Sequence, residues 1–125
     1  MKKSSFHVLR LGLGITFLWI GFLVFRSPEA WGSFLQPWAV ALLPVPLREM
    51  MIGTAYLDVA IGVLLVLNLW TWVAALVGAW HIAVVLITVG VNDVTVRDIG
   101  LLAATTTLTL ETIPDWIVHK IFFWR

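Results

Sequence analysis

The sequence predicts an all-α, polytopic membrane protein: a four-transmembrane-helix bundle with a short interfacial helix between the first two spans. Of the 125 residues, 61% are hydrophobic and only 12% are charged, and the mean hydropathy is +0.99. Such a composition leaves too little polar surface to cover a water-soluble globule of this size. Apolar stretches also recur at about the 20-residue length that crosses a bilayer. So short a chain forms one domain, residues 1–125.

Four spans are predicted, at about residues 7–25, 50–69, 72–91 and 93–113. Lys2 and Lys3 resemble the start of a signal peptide, but no small-residue cleavage site follows the first apolar stretch, so we expect that stretch to be retained as a span. The second and third spans are so close in sequence that they should form a tight antiparallel hairpin. The fourth begins near Asn92 or Asp93, either of which can cap a helix, and ends before Pro114.

Two segments are predicted to lie at the membrane interface. The first, residues 28–47, has apolar side chains at helical spacing, which predicts one short amphipathic helix: Trp31, Phe34, Leu35 and Trp38. The second, residues 115–125, mixes aromatic and basic side chains, as segments at the headgroup layer do. Lysine and arginine gather on one side of the predicted bundle, five against three: Lys2, Lys3, Arg10, Lys120 and Arg125 against Arg26, Arg48 and Arg97. This bias predicts cytoplasmic N- and C-termini.

Several function classes are disfavoured by composition. A net charge of +1, with scattered basic residues, disfavours nucleic-acid binding. The chain has no cysteine, so thiol relays, iron–sulfur clusters and covalent haem are not expected. Among the histidines only His81 falls in the middle of a span, which argues against a bis-histidine haem. No metal ligands or catalytic residues are predicted, and the lipid bilayer is the expected partner.

Polar residues within the spans should face a shared interior, because hydrocarbon penalises exposed charge. On the helical rise, Asp58 lies about 12 Å and His81 about 15 Å from the same membrane surface, so the two are expected to meet on adjacent helices. Arg26 and Arg97 are further candidate partners of Asp58. Near the opposite surface, Arg10 and Glu111 are predicted to form a structural pair.

Each of these residues has a structural and a functional interpretation. Asp58 is either a ligand or proton site, or a buried tether between helices. His81 is either a hydrogen-bonding partner of a neighbouring group, or a proton relay. Arg97 and Asp98 either anchor a helix start, where an acid favours the helix dipole, or belong to the polar core. Gly12 and Gly14 are candidate close-approach points in a homo-oligomer.

Three sequence stretches together resemble the DoxX and DoxX-like family of small bacterial membrane proteins. They are Arg-Leu-Gly-Leu-Gly at residues 10–14, Gly-Thr-Ala-Tyr-Leu-Asp-Val-Ala-Ile-Gly-Val-Leu-Leu at 53–65, and Arg-Asp-Ile-Gly-Leu-Leu-Ala-Ala at 97–104. The resemblance covers most of the chain, although aspartate stands at position 58 where the family usually has glutamate. It implies a four-helix protein of the bacterial inner membrane, some relatives of which are subunits linked to quinol or thiosulfate oxidation. By position it implies a polar cluster of Arg26, Asp58, Arg97 and Asp98.

These observations favour a non-enzymatic accessory subunit of a membrane complex, whose bundle encloses a pocket for a quinone head group or a lipid around Asp58. A quinone is the one candidate cofactor, and the candidate protein partners are complex subunits or further copies of the chain. The alternative is a small transporter or proton-conducting protein that uses Asp58 and His81. An oxidoreductase acting by itself is the third hypothesis.

Overall fold

A computed structural model describes residues 1–122, and this part of the chain consists of helices joined by turns and short loops. No strand occurs within it. The prediction of an all-α protein is therefore confirmed, while Arg125, one of the predicted cytoplasmic charges, lies outside the described residues. The helices are, in chain order, α1 (Lys3–Arg26), α2 (Pro28–Gly32), α3 (Pro37–Ala41), α4 (Leu47–Leu67), α5 (Thr71–Val89), α6 (Val96–Thr112) and α7 (Asp115–Phe122).

Three of the described helices are long and apolar enough to cross a membrane: α1 with 24 residues, α4 with 21 and α5 with 19. Helix α6 has 17 residues, a length of about 26 Å at 1.5 Å per residue. It also contains five threonines, so it is both shorter and more polar than the other three. The chain is a membrane protein by these three helices, and the fourth span stays a prediction.

Helices α1 and α4 form the closest pair in the bundle, because glycines remove the side chains that would hold them apart. A Cβ atom placed on Gly62 of α4 would lie 2.8 Å from the carbonyl oxygen of Gly14 and 2.8 Å from the amide nitrogen of Leu18. Gly14 is therefore used inside the bundle and not, as the sequence suggested, for contact with another copy. Gly12 faces open space.

The second close pair is α5 with α6, and the two pairs share one apolar core. Phe17 of α1 lies at its centre, 1% exposed, beside Gly78 of α5. Leu65 of α4 and Leu108 of α6 are fully buried in the same cluster. Lipid tails are as apolar as these side chains, so close van der Waals packing stabilises the bundle more than removal from water does.

The connector, residues 27–46, joins α1 to α4 at one end of the bundle, here called the connector end. It contains two five-residue helices, α2 and α3, and not the single amphipathic helix that the spacing of its aromatic residues predicted. The reason is Pro37, which disfavours helical backbone at the residue before it. Gln36 accordingly has φ −68° and ψ 149°, an extended conformation that separates the two helices.

Helices α4 and α5 are joined at the opposite end by a tight turn, as predicted for the second and third spans. Asn68 and Trp70 adopt left-handed backbone conformations, with φ of 55° and 47°. The Thr71 hydroxyl donates to the side-chain oxygen of Asn68 at 2.6 Å. Each of the two helices nevertheless packs mainly on another partner, α4 on α1 and α5 on α6. The turn therefore links the two close pairs.

Helix α6 begins at Val96, three residues later than predicted. The predicted cap residue Asn92 instead organises the preceding loop, because its side-chain oxygen accepts hydrogen bonds from the amides of Val94 and Thr95. These bonds satisfy backbone groups that the helix does not use.

Candidate functional site

Asp58 is held inside the bundle by the helical periodicity of α4. Ala55, Ile61 and Leu65 stand three or seven residues from it, and all are buried. Residues at this spacing share one face of a helix, so the packing of these apolar neighbours carries the carboxylate inward. Asp58 is 3% exposed.

His81 of α5 faces Asp58 across the interior. Its Nε2 atom lies 3.1 Å from Oδ1 of Asp58, and its side chain is 12% exposed. Ala74 and Gly78, which precede His81 by seven and three residues, are also buried. At this spacing His81 lies on the same inward face of α5. The structure thus brings together the two residues whose depths predicted a meeting.

A cavity of about 600 Å³ adjoins this pair and extends to the connector end. All four long helices contribute to its wall, together with residues of the connector. The wall is mainly apolar; on the side of the connector it consists of Trp31, Phe34, Leu35 and Leu43. Ligand sites in proteins are typically concave and apolar with a few polar groups, and this cavity has that character.

Asp98 and Arg97, at the start of α6, also line the cavity. Asp98 is half-buried and interacts electrostatically with His81, Arg97 and Asp58. Arg97 is exposed, and within residues 1–122 no ion pair joins it to Asp58. Two carboxylates, one imidazole and one guanidinium therefore form the charged part of the cavity wall.

Arg26 does not belong to this cluster, which corrects the prediction that it pairs with Asp58. Its guanidinium lies 5.8 Å from the ring centroid of Phe22, and the residue is exposed. The reason is angular: residues two apart on a helix point about 200° away from each other, and Val24 is the buried one. Arg26 consequently faces away from the cavity.

The predicted ion pair between Arg10 and Glu111 does not form either. The Nη1 atom of Arg10 donates to the carbonyl oxygens of Leu65 at 2.6 Å and Val66 at 2.8 Å, at the end of α4. Glu111 accepts a hydrogen bond from the amino group of Met1 at 3.2 Å. The last carbonyls of a helix lack partners within it, and a buried arginine beside them satisfies that need.

Gln36 attaches the connector to the end of α5, next to the cavity residues Thr88 and Val89, a role that sequence reasoning missed. Its backbone amide donates to the carbonyl of Thr88 at 3.0 Å, and its side-chain amide donates to that of Val89 at 3.1 Å. Its side-chain oxygen accepts from the indole of Trp38 at 2.8 Å. These bonds attach the connector to the end of α5, and only the fold brings together residues so far apart in sequence.

Thr16 of α1 is a second cavity residue that was not predicted. The available signal was its hydroxyl, the only one in the predicted span 7–25. Ile20 and Leu23, which follow Thr16 at helical spacing, also line the cavity.

The arrangement can bind an amphiphile by its head group, and it can exchange a proton between carboxylate and imidazole. Within residues 1–122, no group of three or more His, Cys, Asp or Glu side chains is placed to hold a metal ion. Searches against protein-family models, curated proteins and solved structures found no match to the chain.

Proposed function

We propose that the chain is an accessory, non-enzymatic subunit of a membrane complex, and that its cavity binds the head group of a membrane amphiphile, a quinone or a lipid. One observation carries the proposal: a mainly apolar cavity of about 600 Å³ is in contact with the buried Asp58–His81 pair. A buried ionisable pair in a membrane helix is costly and is generally functional. The proposal agrees with the resemblance to DoxX-like proteins, which we propose as relatives.

The proposal includes a fourth span, formed by α6. Its 17 residues are at the lower limit of the length that crosses a bilayer. Its threonines donate to carbonyls of their own helix, which lowers the cost of placing them in lipid: Thr105 to Leu101, Thr107 to Ala103, Thr109 to Thr105 and Thr112 to Leu108. With four spans both termini lie on one side, which the positive-inside rule identifies as the cytoplasmic side of a bacterial inner membrane.

Single-cysteine variants test this topology, because the chain has no cysteine of its own. Ser4→Cys, Ser33→Cys and Asp115→Cys place a thiol in the first turn of α1, in the connector and after α6. With a membrane-impermeant maleimide on spheroplasts, we expect labelling at position 33 and protection at positions 4 and 115. Labelling at 115 with protection at 4 would mean that α6 does not cross.

The binding proposal is tested by what the purified protein retains. Quinones and lipids extracted from protein in a neutral detergent are quantified by mass spectrometry. We expect Asp58→Ala to lower the affinity for the retained molecule by about tenfold or more, since a hydrogen bond to a charged group contributes about 1.5–3 kcal/mol.

Two further variants make the result specific to the cavity. Val85→Trp fills part of it without removing a charge, and should also reduce retention. Asp93→Ala removes an exposed acid that does not line the cavity, and should leave retention unchanged. Equal retention in wild type, Asp58→Ala and Val85→Trp would argue against an amphiphile in this cavity.

A second candidate function, proton conduction or proton-coupled transport, is favoured by the 3.1 Å contact between His81 and Asp58 on neighbouring helices. An imidazole and a carboxylate at this distance can pass a proton between them. In liposomes with an internal pH dye, this mechanism requires a proton flux that Asp58→Asn abolishes. Identical flux in the two proteins would exclude it.

A further inference from the structure

The polar wall of the cavity consists mostly of hydrogen-bond acceptors. Four threonines line it, and the hydroxyl of each donates a hydrogen bond to a backbone carbonyl: Thr16 to Gly12, Thr54 to Met51, Thr88 to Val84 and Thr95 to Gly90. A hydroxyl whose proton is used in this way presents only lone pairs to a ligand. The hydroxyl of Thr95 already accepts from the amide of Asn92 at 2.9 Å, so the other three threonines are the ones that favour a ligand that donates hydrogen bonds.

The charged groups of the wall have the same bias. Asp58 and Asp98 are acceptors, against the donors His81 and Arg97. Two carboxylates stand against one guanidinium, so the acids outnumber the permanent cation of the wall. Asp58, 3% exposed, is approached at one carboxylate oxygen by Nε2 of His81 at 3.1 Å, and no other ion-pair contact to it occurs within residues 1–122. Its carboxylate thus retains capacity for a further positively charged donor.

The rest of the wall suits an amphiphile with such a head group. Trp31 and Phe34 contribute aromatic rings to the wall, and the face of such a ring attracts a cation. The remaining wall is largely aliphatic and would cover a hydrocarbon chain. An anionic head group would instead meet two carboxylates against the single guanidinium of Arg97, in a site of low polarity where repulsion is weakly screened.

We propose that the cavity selects a single-chain amphiphile with a primary ammonium head group, which Asp58 and Asp98 bind as hydrogen-bond acceptors. This inference rests on the proposed function, since it names the ligand class of the same cavity. A primary ammonium carries three donors and no acceptor, which matches this wall.

The test compares four probes with the same twelve-carbon chain. Dodecylammonium has charge and donors, dodecyltrimethylammonium has charge without donors, dodecanol has a hydroxyl without charge, and dodecanoate has the opposite charge. Binding to the full chain, purified in a neutral maltoside, is measured by native mass spectrometry. We expect dodecylammonium to bind about tenfold more tightly than dodecanol, because charge-assisted hydrogen bonds are roughly twice as strong as neutral ones. Dodecanoate should bind more weakly than dodecanol.

Variants assign the effect to the two acids. Asp58→Asn and Asp98→Asn should each weaken dodecylammonium binding by about tenfold while changing dodecanol binding little. Asp93→Asn is the matched control and should change neither. Circular dichroism reports whether each variant is folded. Asp98, at the edge of the cavity and only half-buried, provides the test should Asp58→Asn fail to fold.

The outcomes separate the two proposals. Equal binding of dodecylammonium and dodecanol, or of wild type and Asp98→Asn, would overturn the ammonium proposal and leave the amphiphile site standing. Equal binding of the primary and quaternary ammonium would overturn the role of the hydrogen-bond donors. Binding of none of the four probes would contradict both this inference and the function on which it rests.

Discussion

Gly62→Ala should destabilise the bundle, because it places a methyl group where the backbones of α1 and α4 touch. The new Cβ would lie 2.6 Å from Cγ of Leu18, 2.8 Å from its amide nitrogen and 2.8 Å from the carbonyl oxygen of Gly14. Ordinary contacts begin near 3.4 Å, so the 2.8 Å contacts require about 0.6 Å of separation between the two helices. Overpacking of this kind typically costs about 1–3 kcal/mol.

Gly53→Ala on the same helix is the matched control, since nothing lies within 4 Å of its Cβ position. Both variants gain helix propensity, up to about 1 kcal/mol in water, so their difference isolates the cost of the helix contact. The measurement is unfolding by SDS in mixed micelles, followed by circular dichroism. We expect Gly62→Ala to unfold at a lower SDS fraction than Gly53→Ala by the equivalent of about 1–3 kcal/mol.

Gly21→Ala should fall between these two variants. Its Cβ would lie 3.0 Å from the carbonyl oxygen of Ala55, a milder approach than at Gly62. If Gly62→Ala and Gly53→Ala unfold at the same SDS fraction, the close approach of α1 and α4 does not stabilise the bundle, and the reasoning fails.

Three further results are expected. Arg10→Met should destabilise the bundle by about 1.5–3 kcal/mol in the same SDS assay, because two carbonyls at the end of α4 lose a charged donor; an unchanged unfolding curve would contradict this. The pKa of Glu29 lies below its ordinary value of 4.5, through a backbone hydrogen bond first and Arg48 second. The stabilisation linked to this lowered pKa is therefore present above pH 4.5 and is lost as the pH falls through the folded-state pKa. In a carboxylate NMR titration, Arg48→Ala should raise the pKa of Glu29 only part of the way to 4.5. Full recovery to 4.5 would assign the shift to Arg48 alone. Gln36→Ala should speed hydrogen exchange in the connector, because the side-chain bonds to Val89 and Trp38 are lost while the backbone bond to Thr88 remains; unchanged exchange would mean that the side chain does not hold the connector on α5.

The inward faces of the long helices could be predicted because each depends on local periodicity. On α1, for example, Arg10, Gly14, Phe17 and Gly21 recur at helical spacing, and all four are buried. Asp58 was expected in the interior because hydrocarbon penalises exposed charge, and it is buried on the inward face of α4. Helical spacing and the cost of charge in lipid are properties of the chain itself, so these assignments need no knowledge of the neighbouring helices.

The pairing of polar groups could not be predicted in the same way. Depth along a helix predicted that Asp58 and His81 meet, and they do. Depth also predicted a pair between Arg10 and Glu111, which does not form. Whether two groups at one level meet depends on the rotation and separation of their helices. Arg26 follows the buried Val24 by two residues and therefore lies on the opposite side of α1. Its depth near the membrane surface did not reveal this orientation.

The sequence by itself determined that this is an all-helical membrane protein with inward-facing polar residues, because composition and periodicity act along a single helix. Only the tertiary structure decided that the connector forms two helices attached through Gln36 to α5, and that residues of the connector form part of the wall of the cavity beside the Asp58–His81 pair. Both features arise where separate helices meet, and how closely helices approach depends on the shapes of all their side chains together.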